Sequence, residues 1–324
     1  MLHKISICIL LLTSLTIYSQ ETKKEPINPL QTKFDGQSLV EVNYSYLTGS
    51  DYKLKMERPE KGLYEKGEIG NVQRINVGAT VPFFYKKGLV LSALARYNYA
   101  LTAYDRVRPQ DIEILKLNHA RNEETHSISG GLSGAYFVNI FKKRLLLTAS
   151  VVADGSEKRF EYLTGLFTAT MTVIDNETTR MSVGLFGSTS RAMQFPVFPI
   201  FTFRHRFEGT PYLLDIILPK QAYLTQLIGD NGRLSAGFSM DSQRGYIYPG
   251  QEGFKHTYTY DRIDMKLDAR YEHMIVNKLV ASANLGFVKC YRGVYREKNS
   301  TRDIARFSQD GGLFFSLGLR YQLR

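Results

Sequence analysis

The sequence contains no tryptophan and only two cysteines, and beyond Ile17 it has no apolar run long enough for a membrane-crossing helix. Each shortage excludes something. Cys8 lies inside the opening apolar run, a poor place for lipid attachment, and would leave with it. Cys290 then stands alone, so neither an intramolecular disulfide nor a cysteine metal cluster can form. Cys290 reads as a small packing residue near a strand end. No phosphate-cradling glycine loop, metal-spaced histidine pair or nucleotide fingerprint is present, and nothing calls for a cofactor. Helical periodicity is scarce. Tryptophan usually shares the interfacial girdle of membrane proteins with tyrosine; here 21 tyrosines and 19 phenylalanines must serve instead.

The start of the chain is built like an export signal. Met1 to Lys4 is basic, Ile5 to Ile17 is apolar with hydroxyls, and Tyr18-Ser19-Gln20 places a small residue at Ser19. That is the three-part layout of a secretory signal peptide. The apolar run is too short for a spanning helix, which would need about 18 residues. The expected division is a signal peptide at 1–19, a polar lead-in at 20–37 containing Pro26 and Pro29, and one domain at 38–324.

That domain alternates with period two. In Gly312 to Leu323, one face carries Leu313, Phe315, Leu317, Leu319, Tyr321 and Leu323. The other carries Gly312, Phe314, Ser316, Gly318, Arg320 and Gln322. From Arg262 to Glu272, Ile263, Met265, Leu267, Ala269 and Tyr271 oppose Arg262, Asp264, Lys266, Asp268, Arg270 and Glu272. A helix would scatter these apolar residues; a strand segregates them. Similar patterns begin near Val40, Ile75, Leu89 and Ile128, with further strands at 145–153, 164–174, 180–188, 197–207, 233–241 and 279–292.

Connections alternate in length. Short, turn-like ones lie at 85–88, 139–143, 175–177, 208–210, 230–232 and 276–278. Long, charged ones lie at about 49–68, 104–123, 155–163, 189–196, 245–255 and 297–310. Short turns on one side and long loops on the other mark outer-membrane barrels. The expected fold is therefore all-β: an antiparallel up-and-down transmembrane β-barrel of twelve strands, or fourteen if both pieces of 211–228 around Pro219 cross. A soluble β-sandwich is the rival fold, but it has no reason to sort its loops this way.

The signal ending Tyr-Ser-Gln, the alternating strands and the closing FFSLGLRYQLR resemble outer-membrane β-barrel proteins of Bacteroidota-type bacteria. The segment PYLLDIILPKQAYLTQLIGDNGRLSAGFSMDSQRGYIY is similar to a barrel family of unknown function there. This resemblance implies a Gram-negative outer membrane and insertion by the barrel-assembly machinery, which reads the last strand. Here that strand departs from the pattern by ending Leu323-Arg324 rather than on an aromatic residue. The family supplies no functional residues.

The formal net charge is +11. In an exported chain this points to lipopolysaccharide phosphates and outer-membrane lipid as partners, or to a basic lumen, rather than to nucleic acid. Alternation turns Arg74, Arg96, Arg180, Arg204, Arg206, Arg233, Arg262, Lys266, Arg270, Arg292 and Arg320 inward, with Glu41, Asp215, Asp241, Asp264, Asp268 and Glu272. Two readings of the lumen stand side by side. A water-filled basic lumen makes a porin-like channel favouring small polar or anionic solutes. Cross-strand ion pairs that plug it leave a structural or surface-interaction barrel. A lipid-modifying enzyme is a third reading, with no catalytic residues to name. It needs a serine beside a histidine, and His126 and Ser127, as neighbours in a strand, point to opposite faces. His205, among Phe201, Phe203 and Phe207, belongs at an interface.

Overall fold

The structure, a computed structural model, describes residue 30 and residues 32–57, 62–109, 122–141, 143–190, 196–248 and 257–323. The signal peptide expected at 1–19 and most of the lead-in fall outside the described residues. So do His119, His256 and the middles of the loops expected at 104–123, 189–196 and 245–255.

The chain forms β1 (Gln37–Met56), β2 (Gly62–Lys86), β3 (Leu89–Pro109), β4 (Asn122–Ile140), β5 (Lys143–Gly155), β6 (Phe160–Asp175), β7 (Thr179–Ser188), β8 (Val197–Arg206), β9 (Tyr212–Leu218), β10 (Gln221–Ile228), β11 (Gly232–Ile247), β12 (Tyr258–Val276), β13 (Leu279–Glu297), β14 (Asp303–Gln309) and β15 (Gly312–Leu323). Each pairs antiparallel with its neighbours, and β15 pairs with both β1 and β13, which closes the sheet into a barrel. β14 continues β15 past a break at Asp310-Gly311. It pairs with the same two strands in the same register, Leu54 opposite Phe307 as Leu47 is opposite Phe314. Among the described residues the ring therefore has fourteen staves, not twelve. Residues 211–228 form β9 and β10, a hairpin with Pro219 in its turn, where the ladder needs no donor. Closure through β15 leaves the lower part of the ring without the free edges of an open sheet.

Outward positions are apolar around the ring: Val42, Tyr44, Leu132, Val151, Leu163, Leu185, Leu224, Leu267, Leu285, Leu317 and Leu319 are all exposed. Charges, hydroxyls and glycines alternate with them on the inner face. This inverts a soluble barrel, which hides its apolar side chains. The lower rim, where β1 starts and β15 ends, carries the short turns.

Much of what reads as long upper loops is strand. The segment 49–68 is mostly the upper ends of β1 and β2, and 297–310 contains β14. The charges there sit on one face while alternate Tyr52, Leu54, Met56 and Phe307 are buried. The phase of burial changes across Gly49, from Leu47 below to Tyr52 above, at unbroken register with β2. A side chain at Gly49 would meet the carbonyl oxygens of Ile69 and Gly70, so this crossing of two irregular strands requires glycine. We expect Gly49→Val to prevent the upper hairpin from closing. Faster proteolysis of β1–β2 in the refolded barrel would report this.

Candidate functional site in the lumen

Three groups of side chains occupy the lumen. At mid-height, Asp264 is 0% exposed and lies between Arg74 (3.0 Å) and Arg262 (2.6 Å). Arg74 belongs to β2 and Asp264 to β12, which are not neighbours, so this bond crosses the interior. Charges this deep stand only when paired. Further down β12, Lys266 pairs with Asp241 at 3.1 Å. The Tyr223 hydroxyl donates to Asp268 (2.7 Å) and accepts from Arg270 (3.2 Å).

The second group closes the lower end. Glu272 holds Arg233 and, at 3.0 Å, Arg320. Arg204 bonds Asp35 at 2.8 Å and Asp215 at 3.5 Å. Asp35 belongs to the lead-in, whose described part, Leu30 and 32–36, sits inside the barrel rather than below it. Phe34 packs with Met274 and Val280, and Arg233 lies over its ring. Arg320 donates to the Phe34 carbonyl and Gln322 to that of Lys33. Burial raises the Asp35 carboxyl, but Arg204, the Thr32 amide and Arg233 outweigh it, and the net shift is downward.

The third group seals the upper end. Tyr52, Leu54, Tyr64, Tyr104, Tyr295 and Phe307 form an apolar cluster contiguous with Leu47, Val72, Val288, Cys290 and Phe314 below. Beside it, the upper half of β11 leans across the lumen, its backbone within 8 Å of β4. There the outward face of β11, apolar at Leu234 and Phe238, turns polar at Arg244. Arg244 bonds Asp261 (2.7 Å) and Asp154 of β5 (3.7 Å). Tyr246 donates to Asp154, and Lys298 bonds Glu161 of β6 at 2.7 Å. Arg296 joins Asp261 to Asp303.

Between these groups lies a cavity of about 370 Å³, lined by Arg74, Arg96, Asn76, Asn98, Ser127, Ser129, Asp154, Gln243 and Arg244 among others. Arg96 lies 4.0 Å from Glu41 with its side chain largely exposed. Arg180 bonds Asp175 at the lower rim, Arg206 ends β8 opposite Leu213, and Arg292 reaches Asp303. The wall from β4 to β7 is hydroxyl-rich instead of charged, with Ser150 donating to Ser133 and Ser182 to Thr172.

Sequence reasoning did not single out Asp35, Asp154, Glu161, Arg244, Asp261, Arg296 or Asp303. The change from Phe238 to Arg244 on one face of β11 was a legible signal that this face leaves the apolar belt. Asp35 carried none, because a polar lead-in looks the same inside and outside a barrel.

Each described histidine bonds a hydroxyl other than serine's: His126 to Tyr97, His205 to Thr179 and His273 to Tyr271. Ser127 faces the cavity. Among the described residues no acidic, histidine and cysteine side chains cluster as metal ligands do.

The fold and site define a closed antiparallel β-barrel with an apolar belt and a charged, stoppered lumen. No family model matches the chain, and no curated protein does. Among solved structures it is similar to an outer membrane channel from Pseudomonas putida F1, at 9% identity and TM-score 0.39 over 93% of this chain and 100% of that one. It is also similar to a FadL homologue of Pseudomonas aeruginosa, at 8% identity and TM-score 0.31 over 92% and 93%. Outer membrane phospholipase A from Escherichia coli matches at 8% identity and TM-score 0.32 over 91% and 96%.

Proposed function

We propose that this protein is an outer-membrane barrel of a Gram-negative cell that passes small polar or anionic solutes, and that the stoppered arrangement is its closed form. The apolar belt supports the location: water would not tolerate so many outward Leu, Val, Phe and Tyr side chains on a monomer, whereas a bilayer requires them. Outer-membrane lipid and lipopolysaccharide are then its surroundings. The barrel-assembly machinery, acting on β15, is its route in. The export signal and the Bacteroidota resemblance agree with that setting.

The observation that carries the channel reading is the cavity lined by arginine, asparagine and serine between two stoppers. A lumen meant only as a structural core would be filled. Most of its arginines are neutralised by carboxylates, so selectivity falls to those with exposed side chains, chiefly Arg96. Single-channel conductance of the refolded protein in a planar bilayer, with reversal potential under a salt gradient, tests this. Brief openings with anion preference are expected, and Arg96→Glu should move the reversal potential toward cations. Silence from a folded, heat-modifiable barrel, even after its lower stopper is loosened, would favour the second reading. That reading is a plugged barrel working through its upper surface, and the stoppering of both ends favours it. A lipid-modifying enzyme is a weaker alternative, since no described histidine bonds a serine.

A further inference from the structure

The ring is complete only in its lower part. β9 pairs with β8 no higher than Phe201, so among the described residues Val197–Ile200 of β8 have no partner on that side. β10 pairs with β11 no higher than Ser239, and a last bond joins the Met240 amide to the Lys220 carbonyl. Above that, among the described residues, Asp241–Ile247 of β11 pair only with β12. Pro199 lies within the free stretch of β8, a position that suits a residue unable to donate to a ladder. Among the described residues the wall is thus notched above the β9–β10 hairpin, and β11 leans inward toward β4, β5 and β6 instead of closing it.

The depth of the notch follows from strand length. β9 has 7 residues and β10 has 8. At about 3.4 Å per residue and a tilt of about 45°, they rise roughly 17–19 Å. The apolar band of such barrels is about 25 Å tall. The hairpin turn therefore ends within the outer half of the membrane, and the notch opens on acyl chains, not on water. Inside it, the lumen face changes character. Phe186, Phe198, Ile200 and Ile217 point inward at the upper ends of β7, β8 and β9, half-buried, with the Phe186 and Phe198 rings 4.8 Å apart. Elsewhere at mid-height, apolar lumen side chains such as Leu94, Val152 and Leu166 stand among polar ones.

We infer that this notch is a lateral portal that admits an acyl chain from the outer leaflet onto the ledge formed by Phe186, Phe198, Ile200 and Ile217. The occupant is an acyl chain because the opening lies at hydrocarbon depth and the ledge is apolar. Its source is either a membrane lipid or a free fatty acid. The inference concerns the wall and does not depend on the central cavity passing solutes.

The absence of tryptophan provides the test. Phe198→Trp on the ledge, Val197→Trp on the outer surface beside it, and Val152→Trp in the lumen of the complete wall each give a single reporter. Each variant is refolded into vesicles, once with phospholipid brominated on its acyl chains, and once with plain phospholipid plus a brominated fatty acid. Bromine quenches only on contact. Val197→Trp should be quenched in both arms and Val152→Trp in neither. Quenching of Phe198→Trp to within about twofold of Val197→Trp supports the portal. The first arm would identify membrane lipid and the second alone a free fatty acid. Phe198→Trp unquenched in both arms, or Val152→Trp quenched equally with it, overturns the inference.

Discussion

Asp264→Ala is expected to destabilise the barrel by about 3–5 kcal/mol, the usual consequence of leaving buried charge uncompensated. Asp264 is wholly buried between Arg74 and Arg262, so its loss strands two buried guanidinium groups without their carboxylate. Urea unfolding of the refolded protein, followed by the heat-modifiable gel shift, measures the change. Asp241→Ala is the comparison. Its partner Lys266 is partly exposed and Asp241 more so, and a solvated pair is worth at most about 1 kcal/mol. Converting all three residues together, Arg74→Met, Arg262→Met and Asp264→Leu, should recover most of the loss, because removing a buried network costs far less than breaking it. A loss with Asp264→Ala no larger than with Asp241→Ala would mean that water reaches Arg74 and Arg262.

Asp35→Ala is expected to open the lower end. The carboxylate ties the lead-in to Arg204 and, more distantly, to Arg233. A hydrogen bond to a charged group is worth about 1.5–3 kcal/mol, so the undocked population should rise roughly tenfold to a hundredfold. The readout is the open probability of single channels at neutral pH. The same contact sets a pH dependence. The docked Asp35 carboxyl lies below its ordinary 3.8 because its arginine partners outweigh the effect of burial. A depressed carboxylate contributes docking energy in full above the free value and loses it as pH falls through the docked one. Open probability should therefore stay flat from pH 7 to 5 and rise only below about 4. The Asp35→Ala channel should lack that rise. A quiet variant whose lead-in stays protected from protease would show that Phe34, packed on Met274 and Val280, holds the segment alone.

The Asp35 experiment also separates the channel from the plugged barrel. If loosening the lead-in produces no current, the tyrosine cluster and the β11 seam above it close the lumen independently, and the upper surface becomes the place to look for a partner.

By itself the sequence determined the barrel, its inward and outward faces, and the side on which the short turns lie. These follow from a period of two, which each strand displays within its own residues. The segment from Arg262 to Glu272 announces both its apolar face and its charged face without reference to any other part of the chain. The number of staves was not settled there, because Pro219 reads equally as an interruption and as a turn until its flanking pieces find partners. The upper strand extensions were hidden by charges on one of their faces. What fills the lumen was decided only by the tertiary structure. Arg74 meets Asp264 across 190 positions of sequence, and Arg204 meets Asp35 across 169. The short β7–β10 wall lets β11 fold inward onto β5 and β6. Alternation says that a side chain faces the interior; which charge waits for it on the opposite wall depends on curvature and register summed over many strands, and no local pattern records that sum.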